Sequence, residues 1–331
     1  MIIKNSSIKF FLKTLALSTL LLISSVSANK NEELNQRLIT ELVKEHGFDE
    51  QYVVSIFDQI NYLPQLIENI SKPAEKTKTW AEYRNIFMTP KRIAAGVIFA
   101  NQHQELLTRA ENKTGVPKEI LLGILGVETY FGRIQGSYKV IDSLYTLVAG
   151  YPPRSDFFKK QLIQLFYLCR EQNLPIESIK GSYAGAMGAP QFIASSYRNF
   201  AIDGNSDGKI DLFNSWDDVV MSVGNYLEKN GWQSNEDILS ESTTIESELS
   251  SYFSKTIKPK YTIQELKHAG FKLTTSLPNT SAAQPIYLEE LNKEKSFIGF
   301  HNFYVITTYN RNVMYALAVY QLGESIQSIV E

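Results

Sequence analysis

The sequence predicts a mainly α protein of the α+β class, and three observations carry that reading. Apolar residues recur at three- and four-residue spacing through several long stretches, strand-like stretches are short and fall late in the chain, and 44% of the 331 residues are hydrophobic, enough to fill a core. That length accommodates two ordinary domains, or one catalytic domain with elaborations. Charged residues make up 21% and the formal charge is -2, so no basic excess exists to follow a phosphate backbone, and nucleic acid is not an expected partner.

In chain order, Met1 to Ala28 reads as a secretory signal. It carries Lys4, Lys9 and Lys13 without an acid, an apolar run from Leu15 to Val26, and small residues at Val26-Ser27-Ala28 where a signal peptidase would cut. The run is about half the ~20 residues a membrane-spanning helix needs. A buried amphipathic helix is the alternative, and the lack of a polar face argues against it. Processing there leaves 30 basic against 35 acidic residues, a charge near -5. The sole cysteine, Cys169, rules out an intramolecular disulfide and a thiolate metal cluster, and it lies too far along the chain to be a lipidated N-terminal residue. A soluble product outside the cytoplasm is expected.

Beyond the signal, the spacing predicts helices over Glu33 to Glu45, Glu50 to Ile60, Pro90 to Thr114, Phe157 to Glu171 and Met314 to Leu322. Short strands are expected at Lys260 to Thr262, Phe271 to Thr274 and Phe303 to Thr308, where β-branched and aromatic residues gather. Ser240 to Ser254 and Thr275 to Pro285 read as surface connections, and the charged run Lys72-Pro73-Ala74-Glu75-Lys76-Thr77-Lys78 as a solvated loop.

Another helix is marked by Pro117 at its start and Gly132 at its stop, and it carries one acid on its apolar face. Counting back from Glu128 by three, four and seven gives Leu125, Ile124 and Leu121, with no lysine or arginine one turn before it. Apolar surroundings and the negative end of the helix dipole both disfavour its ionised form. A glutamic acid lifted from about 4.3 toward 6 holds its proton closer to neutral pH and can donate it to a leaving oxygen. A core glutamate bonded to backbone groups, or one capping the turn, is the competing reading.

The segment Lys180-Gly181-Ser182-Tyr183-Ala184-Gly185-Ala186-Met187-Gly188-Ala189-Pro190-Gln191-Phe192 lets backbone approach a ligand. It lacks the spacing of a phosphate loop, a dinucleotide fingerprint or a nucleophile elbow. Aromatics beside amides and hydroxyls suit sugars, with a tight packing loop as the alternative. Asp203-Gly204-Asn205-Ser206-Asp207-Gly208-Lys209-Ile210-Asp211 reproduces the first nine positions of a calcium loop. At position twelve Asn214 replaces the usual Glu, so a closing carboxylate has to come from Asp217 or Asp218 and affinity is expected to be modest. Magnesium or sodium, or an ion-free Asp/Asn/Gly turn, are the alternatives. His46, His103, His268 and His301 are scattered, which points away from zinc or iron.

Gly126-Val127-Glu128-Thr129, the 181–188 glycine-rich run, Gln191-Phe192, the calcium-like loop and Tyr309-Asn310 together resemble the lytic murein transglycosylase B family. The resemblance extends to Lys72 through Thr77, Tyr151-Pro152 and Ala318 through Gly323, and so spans about Ser71 to Gly323. It implies a lysozyme-like helical core with an additional helical subdomain and a small mixed β subdomain. The organisation expected on that basis is a signal at 1–28, an N-terminal helical region at 29–95, a catalytic core at 96–235 carrying the ion loop at 203–217, a small mixed subdomain at 236–300, and a C-terminal segment at 301–331 returning to the core.

The resemblance implies cleavage of the β-1,4 bond between N-acetylmuramic acid and N-acetylglucosamine of peptidoglycan without water, leaving a 1,6-anhydromuramic end. It makes Glu128 the single acid and later base, lines the sugar sites with Ser182, Gln191 and Asn310, and gives Tyr83 and Tyr309 as walls. It implies a structural calcium ion held by Asp203, Asn205, Asp207, the Lys209 carbonyl and Asp217, with no cofactor required for the chemistry. A two-carboxylate enzyme needs a partner acid, and Asp142 and Asp156 are the nearby candidates. The expected location is the periplasm, the expected partner is the glycan strand, and proteins of cell-wall synthesis are a further partner class that the sequence leaves open. Hydrolytic muramidase and a non-catalytic peptidoglycan- or calcium-binding scaffold are the alternative functions. Two departures stand out: Ala194 occupies a position where the family commonly has Pro, and no cysteine near the signal end offers a lipid anchor.

Overall fold

The computed structural model describes residues 32–72, 77–242, 247–253, 258–286, 288 and 296–330. The expected signal at 1–28 lies outside them, as do residues 73–76 of the charged run. Helices cover residues 32–44, Glu50–Phe57, Gln65–Ser71, Trp80–Phe87, Pro90–Gln102, Gln104–Thr114, Lys118–Thr129, Val140–Gly150, Ser155–Gln172, Ala194–Phe200, Trp216–Lys229, Ile263–His268, His301–Tyr309 and Val313–Val330. Among the described residues, no helix is long and apolar enough to cross a membrane.

Local sequence explains many helix starts. Thr79 with Glu82 and Thr262 with Glu265 form capping boxes, while Asp49, Thr89 and Ser215 each accept a backbone N–H of the first turn. Ala194 is the first residue of its helix, a place Pro tolerates well but does not monopolise, so the departure there costs no hydrogen bond.

The central packing unit is Lys118–Thr129 against Val313–Val330. The first is buried on nearly every side, from Ile120 through Val127. The two backbones touch at glycines: a Cβ on Gly123 would fall on the Val319 carbonyl, and one on Gly323 on the Glu119 carbonyl. One large apolar cluster surrounds this pair and runs from Leu38 to Ile326, so the early helices share it with the middle of the chain. A second, smaller cluster joins Leu249, Ile263, Leu266, Phe271, Ala283, Ile298 and Phe300. It sits on a four-stranded antiparallel sheet ordered Leu239–Ser242, Ser296–Gly299, Ala282–Ile286, Tyr261–Thr262. A separate two-stranded ladder pairs Tyr138 with Gly181 and Lys139 with Lys180.

Four expectations are corrected. Phe303 to Thr308 is helical, because Phe303, Val305, Ile306 and Thr307 are all buried and a short apolar run buried on several sides carries no usable period. Phe271 to Thr274 forms no strand; Phe271 instead plugs the small core. Leu239–Ser242 and Ala282–Ile286 are strands that overlap stretches read as surface connections, their Ser and Gln side chains being buried. The single helix expected from Pro90 to Thr114 breaks at His103, which leaves helical geometry at φ -120 and ψ 26.

Candidate active site

Glu128 is half-buried in the last turn of Lys118–Thr129. The helix does not run on to Gly132: Tyr130 and Phe131 both adopt left-handed geometry, at φ 53 and φ 56. Two consecutive non-glycine residues there cost about 1–2 kcal/mol each and persist because the surroundings fix them. Phe131 is buried and stacks on Phe99 with centroids 5.3 Å apart. Thr129 Oγ1 accepts from Gly132 N at 3.0 Å and donates to the Ala189 carbonyl at 2.8 Å. That second bond fastens the acid's helix directly to the glycine-rich segment.

Tyrosines crowd the acid. The Tyr315 hydroxyl donates to Glu128 Oε1 at 2.6 Å from a 2% exposed side chain. Tyr309 lies over Tyr315, the rings 13° from parallel at 6.4 Å, and donates to the Pro190 carbonyl at 2.6 Å. Burial pushes both phenols well above their ordinary range, with the Glu128 charge the next cause in each, so both stay protonated donors. Tyr83 acts on Tyr315 as a further, smaller cause, and Tyr226 is raised by burial foremost and feels Glu128 as a minor contribution. The family resemblance offered Tyr83 and Tyr309, while Tyr315 and Tyr226 had no place in the sequence reading. Tyr315 sits in the apolar first half of its helix, and its only signal is a hydroxyl that needs a partner when buried.

The glycine-rich segment is a nest of short bridges. Gly181 pairs with Met187 and Met187 with Phe192. Ser182 Oγ accepts from Ala184 N at 3.2 Å and Ala186 N at 3.0 Å, which shapes the turn. Gln191, at φ 51, donates from Nε2 to the Gly188 and Gln135 carbonyls at 2.9 and 3.1 Å, which orients its amide oxygen as an acceptor. Asn310 ends the helix His301–Tyr309, and its carbonyl accepts from Asn312 N at 2.7 Å. Gln135 also lines a cavity of about 780 Å³ that reaches Lys209 and Asp211 of the ion loop. Of the two candidate partner acids, Asp142 is buried and accepts from Asn61 N at 3.0 Å, and Asp156 lies in the first turn of Ser155–Gln172.

In the calcium-like loop Asp203 accepts backbone N–H bonds from Ser206, Asp207 and Gly208, and these hold its carboxyl below its ordinary range, the Gly208 bond foremost. Gly208 supplies the turn at φ +85, and Asp207 accepts from Lys209 N at 2.9 Å. The buried Asp218 closes the loop by accepting from Gly204 N at 2.8 Å and Asp211 N at 2.7 Å. Asp217 instead pairs with Arg109. An anionic, oxygen-rich donor set with a preformed turn fits a hard divalent cation. Among the described residues, the acidic or histidine groups that bring three ligand atoms within 4.8 Å of one another are Glu41, Glu45 and His46, so the loop carboxylates do not converge that tightly. Glu41 is ion-paired with Lys159 and His46 bonded to Tyr167, which accounts for that trio.

Comparison with known proteins places the chain in a family. Residues 30–324 match the family described as the Transglycosylase SLT domain. The chain is 35% identical over 302 residues to the membrane-bound lytic murein transglycosylase B of Escherichia coli (strain K12), covering 88% of this chain and 82% of that one. The soluble lytic transglycosylase SltB1 from Pseudomonas aeruginosa superposes with a TM-score of 0.85 at 39% identity, over 89% of this chain and 99% of that one. The Escherichia coli lytic transglycosylase Slt35, solved in complex with calcium, superposes at 0.81 with 34% identity, over 89% and 93%. The mainly α architecture is therefore the one these enzymes share, and the chain belongs to the SLT-domain transglycosylase family.

Proposed function

We propose that this protein is a periplasmic lytic transglycosylase that cleaves the β-1,4 bond between N-acetylmuramic acid and N-acetylglucosamine of peptidoglycan, forming 1,6-anhydromuramic ends. The observation that carries the reading is a carboxyl, Glu128, bonded to a buried tyrosine at the end of an apolar helix. Asp142 is engaged by Asn61, and in this reading one group, Glu128, serves both proton transfers. Glu128 first protonates the glycosidic oxygen; as carboxylate it then takes the proton of the sugar's own C6 hydroxyl, which attacks the cationic centre. The 2-acetamido oxygen of the substrate stabilises that centre, which is why no second protein carboxylate is needed.

In this proposal Ser182, Gln191 and Asn310 line the sugar sites, with Tyr83 and Tyr309 as their walls. A calcium ion held by Asp203, Asn205, Asp207, the Lys209 carbonyl and Asp217 stiffens the loop behind the cavity that Gln135 shares, without touching the reacting atoms. Holding it requires Asp217 to turn from Arg109. Residues 1–28 direct export. The division into a helical region at 29–95, a core at 96–235, a mixed subdomain at 236–300 and a returning segment at 301–331 is part of the same proposal; the separate small apolar cluster supports the third of these.

The test is Glu128→Gln. Clearing of isolated sacculi should fall by about 10²–10⁴-fold while sacculus binding stays within twofold or so. Clearing at the normal rate removes Glu128 as the acid, and loss of binding with clearing would point to a scaffold role for this helix end.

A further inference from the structure

We infer that Arg92 is a positioning residue that holds the catalytic helix end and sets the charge environment of Glu128; this rests on the reading of Glu128 as the acid. The last four carbonyls of an α-helix have no partner within it, and here they belong to Gly126, Val127, Glu128 and Thr129. The chain's left-handed exit redirects the closing N–H groups, since both Tyr130 N and Phe131 N bond to the Leu125 carbonyl. Thr129 O accepts from Ile134 N at 2.9 Å. Gly126 O, which Tyr130 N would take in a continuing helix, accepts from Arg92 Nη1 at 3.1 Å instead.

The guanidinium is built into place. It lies 4.8 Å from the Tyr130 ring centroid and 5.1 Å from that of Phe87, while Arg133 lies 4.8 Å from Tyr130. Among the described residues Arg92 joins no ion pair, although it is half-buried and desolvation pulls its own affinity for the proton down. A partly desolvated cation with no ion pair among the described residues, bonded at the negative end of a helix dipole to the carbonyl two residues before the acid, has a plain electrostatic effect. It offsets the dipole and so favours the ionised form of Glu128, the state needed for the second proton transfer. Its stacking on Tyr130 also holds the strained residue that aims the helix end.

Among the described residues, Tyr315, Tyr309 and Tyr226 feel the Glu128 charge, with Tyr83 acting on Tyr315 and Arg311 on Tyr226. The tyrosines are neutral in the working range, whereas Arg92 and Arg133, both on the Tyr130 ring, and Arg311 are fixed charges. Arg92 is the one bonded to the acid's own helix.

The experiment measures kcat, KM and their pH dependence on isolated glycan strands for the wild type, Arg92→Gln and Arg92→Lys, with thermal melting alongside. For Arg92→Gln, kcat should fall on the order of tenfold with KM within about twofold, and the alkaline limb should move up by roughly half to one pH unit. Arg92→Lys keeps the charge and loses the planar fork, so its limb should stay near that of the wild type while kcat takes an intermediate value. A wild-type kcat and profile in either folded variant overturns the inference. So does a loss of kcat in Arg92→Gln with an unmoved limb, which a purely structural role would give. If Arg92→Gln does not fold, Arg92→Lys decides by its kcat loss at constant KM. An inactive Glu128→Gln beside a normal Arg92→Gln defeats this inference alone; an active Glu128→Gln defeats the reading beneath it.

Discussion

At Glu128 two opposing influences meet. The apolar helix and its C-terminal dipole work against the carboxylate, while the 2.6 Å bond from Tyr315 stabilises it. Because burial and the neighbouring charge push the Tyr315 phenol upward, it remains a donor through the whole working range. Tyr315→Phe therefore removes a bond that favours the ionised acid. The alkaline limb of kcat/KM should rise by about one pH unit, as a hydrogen bond to a charged group is worth about 1.5 kcal/mol or more. An unmoved limb would mean the bond does not bias Glu128. Glu128 was legible in the sequence as a carboxyl on an apolar stripe, a pattern that a core or capping glutamate also fits. Tyr315 was not, since a tyrosine among apolar residues reads as ordinary core until its hydroxyl is seen to face the acid.

The pair Lys118–Thr129 and Val313–Val330 is the element that fixes the acid's position, and its closeness depends on glycine. At Gly123 an added methyl meets the Val319 carbonyl, a backbone atom that cannot rotate away. Gly123→Ala should cost about 1–3 kcal/mol and lower the melting temperature by roughly 5 °C. An unchanged melting curve would show that the helices can separate without loss. Periodic helices with caps were readable at this scale, whereas Phe303 to Thr308 was not. A six-residue apolar run buried on several sides fits strand and helix equally, and only tertiary packing decides. The break at His103 was equally hidden, since the apolar spacing continues through it while the backbone does not.

Over the whole molecule, the ion loop and the glycine-rich segment were legible as motifs, but the way Asp217 and Asp218 divide their duties was not. Adjacent acids look alike in sequence; here one is buried on loop backbone and the other faces Arg109. Asp203 holds the loop by three backbone N–H bonds, so Asp203→Ala should lower stability even without metal. The diagnostic quantity is the increment on adding calcium. In the wild type, saturation to about 100 times Kd should raise the melting temperature by roughly 5 °C, and in the variant by less than about a third of that. A wild type indifferent to calcium and to chelator would remove the ion from the account. The central claim concerns the chemistry of the bond that breaks, and the mass spectrum of muropeptides released from purified peptidoglycan in ¹⁸O-labelled water tests it most directly. The account predicts muramic ends one water lighter than reducing ends and free of label; reducing ends carrying ¹⁸O at C1 would contradict it and make the enzyme a hydrolase.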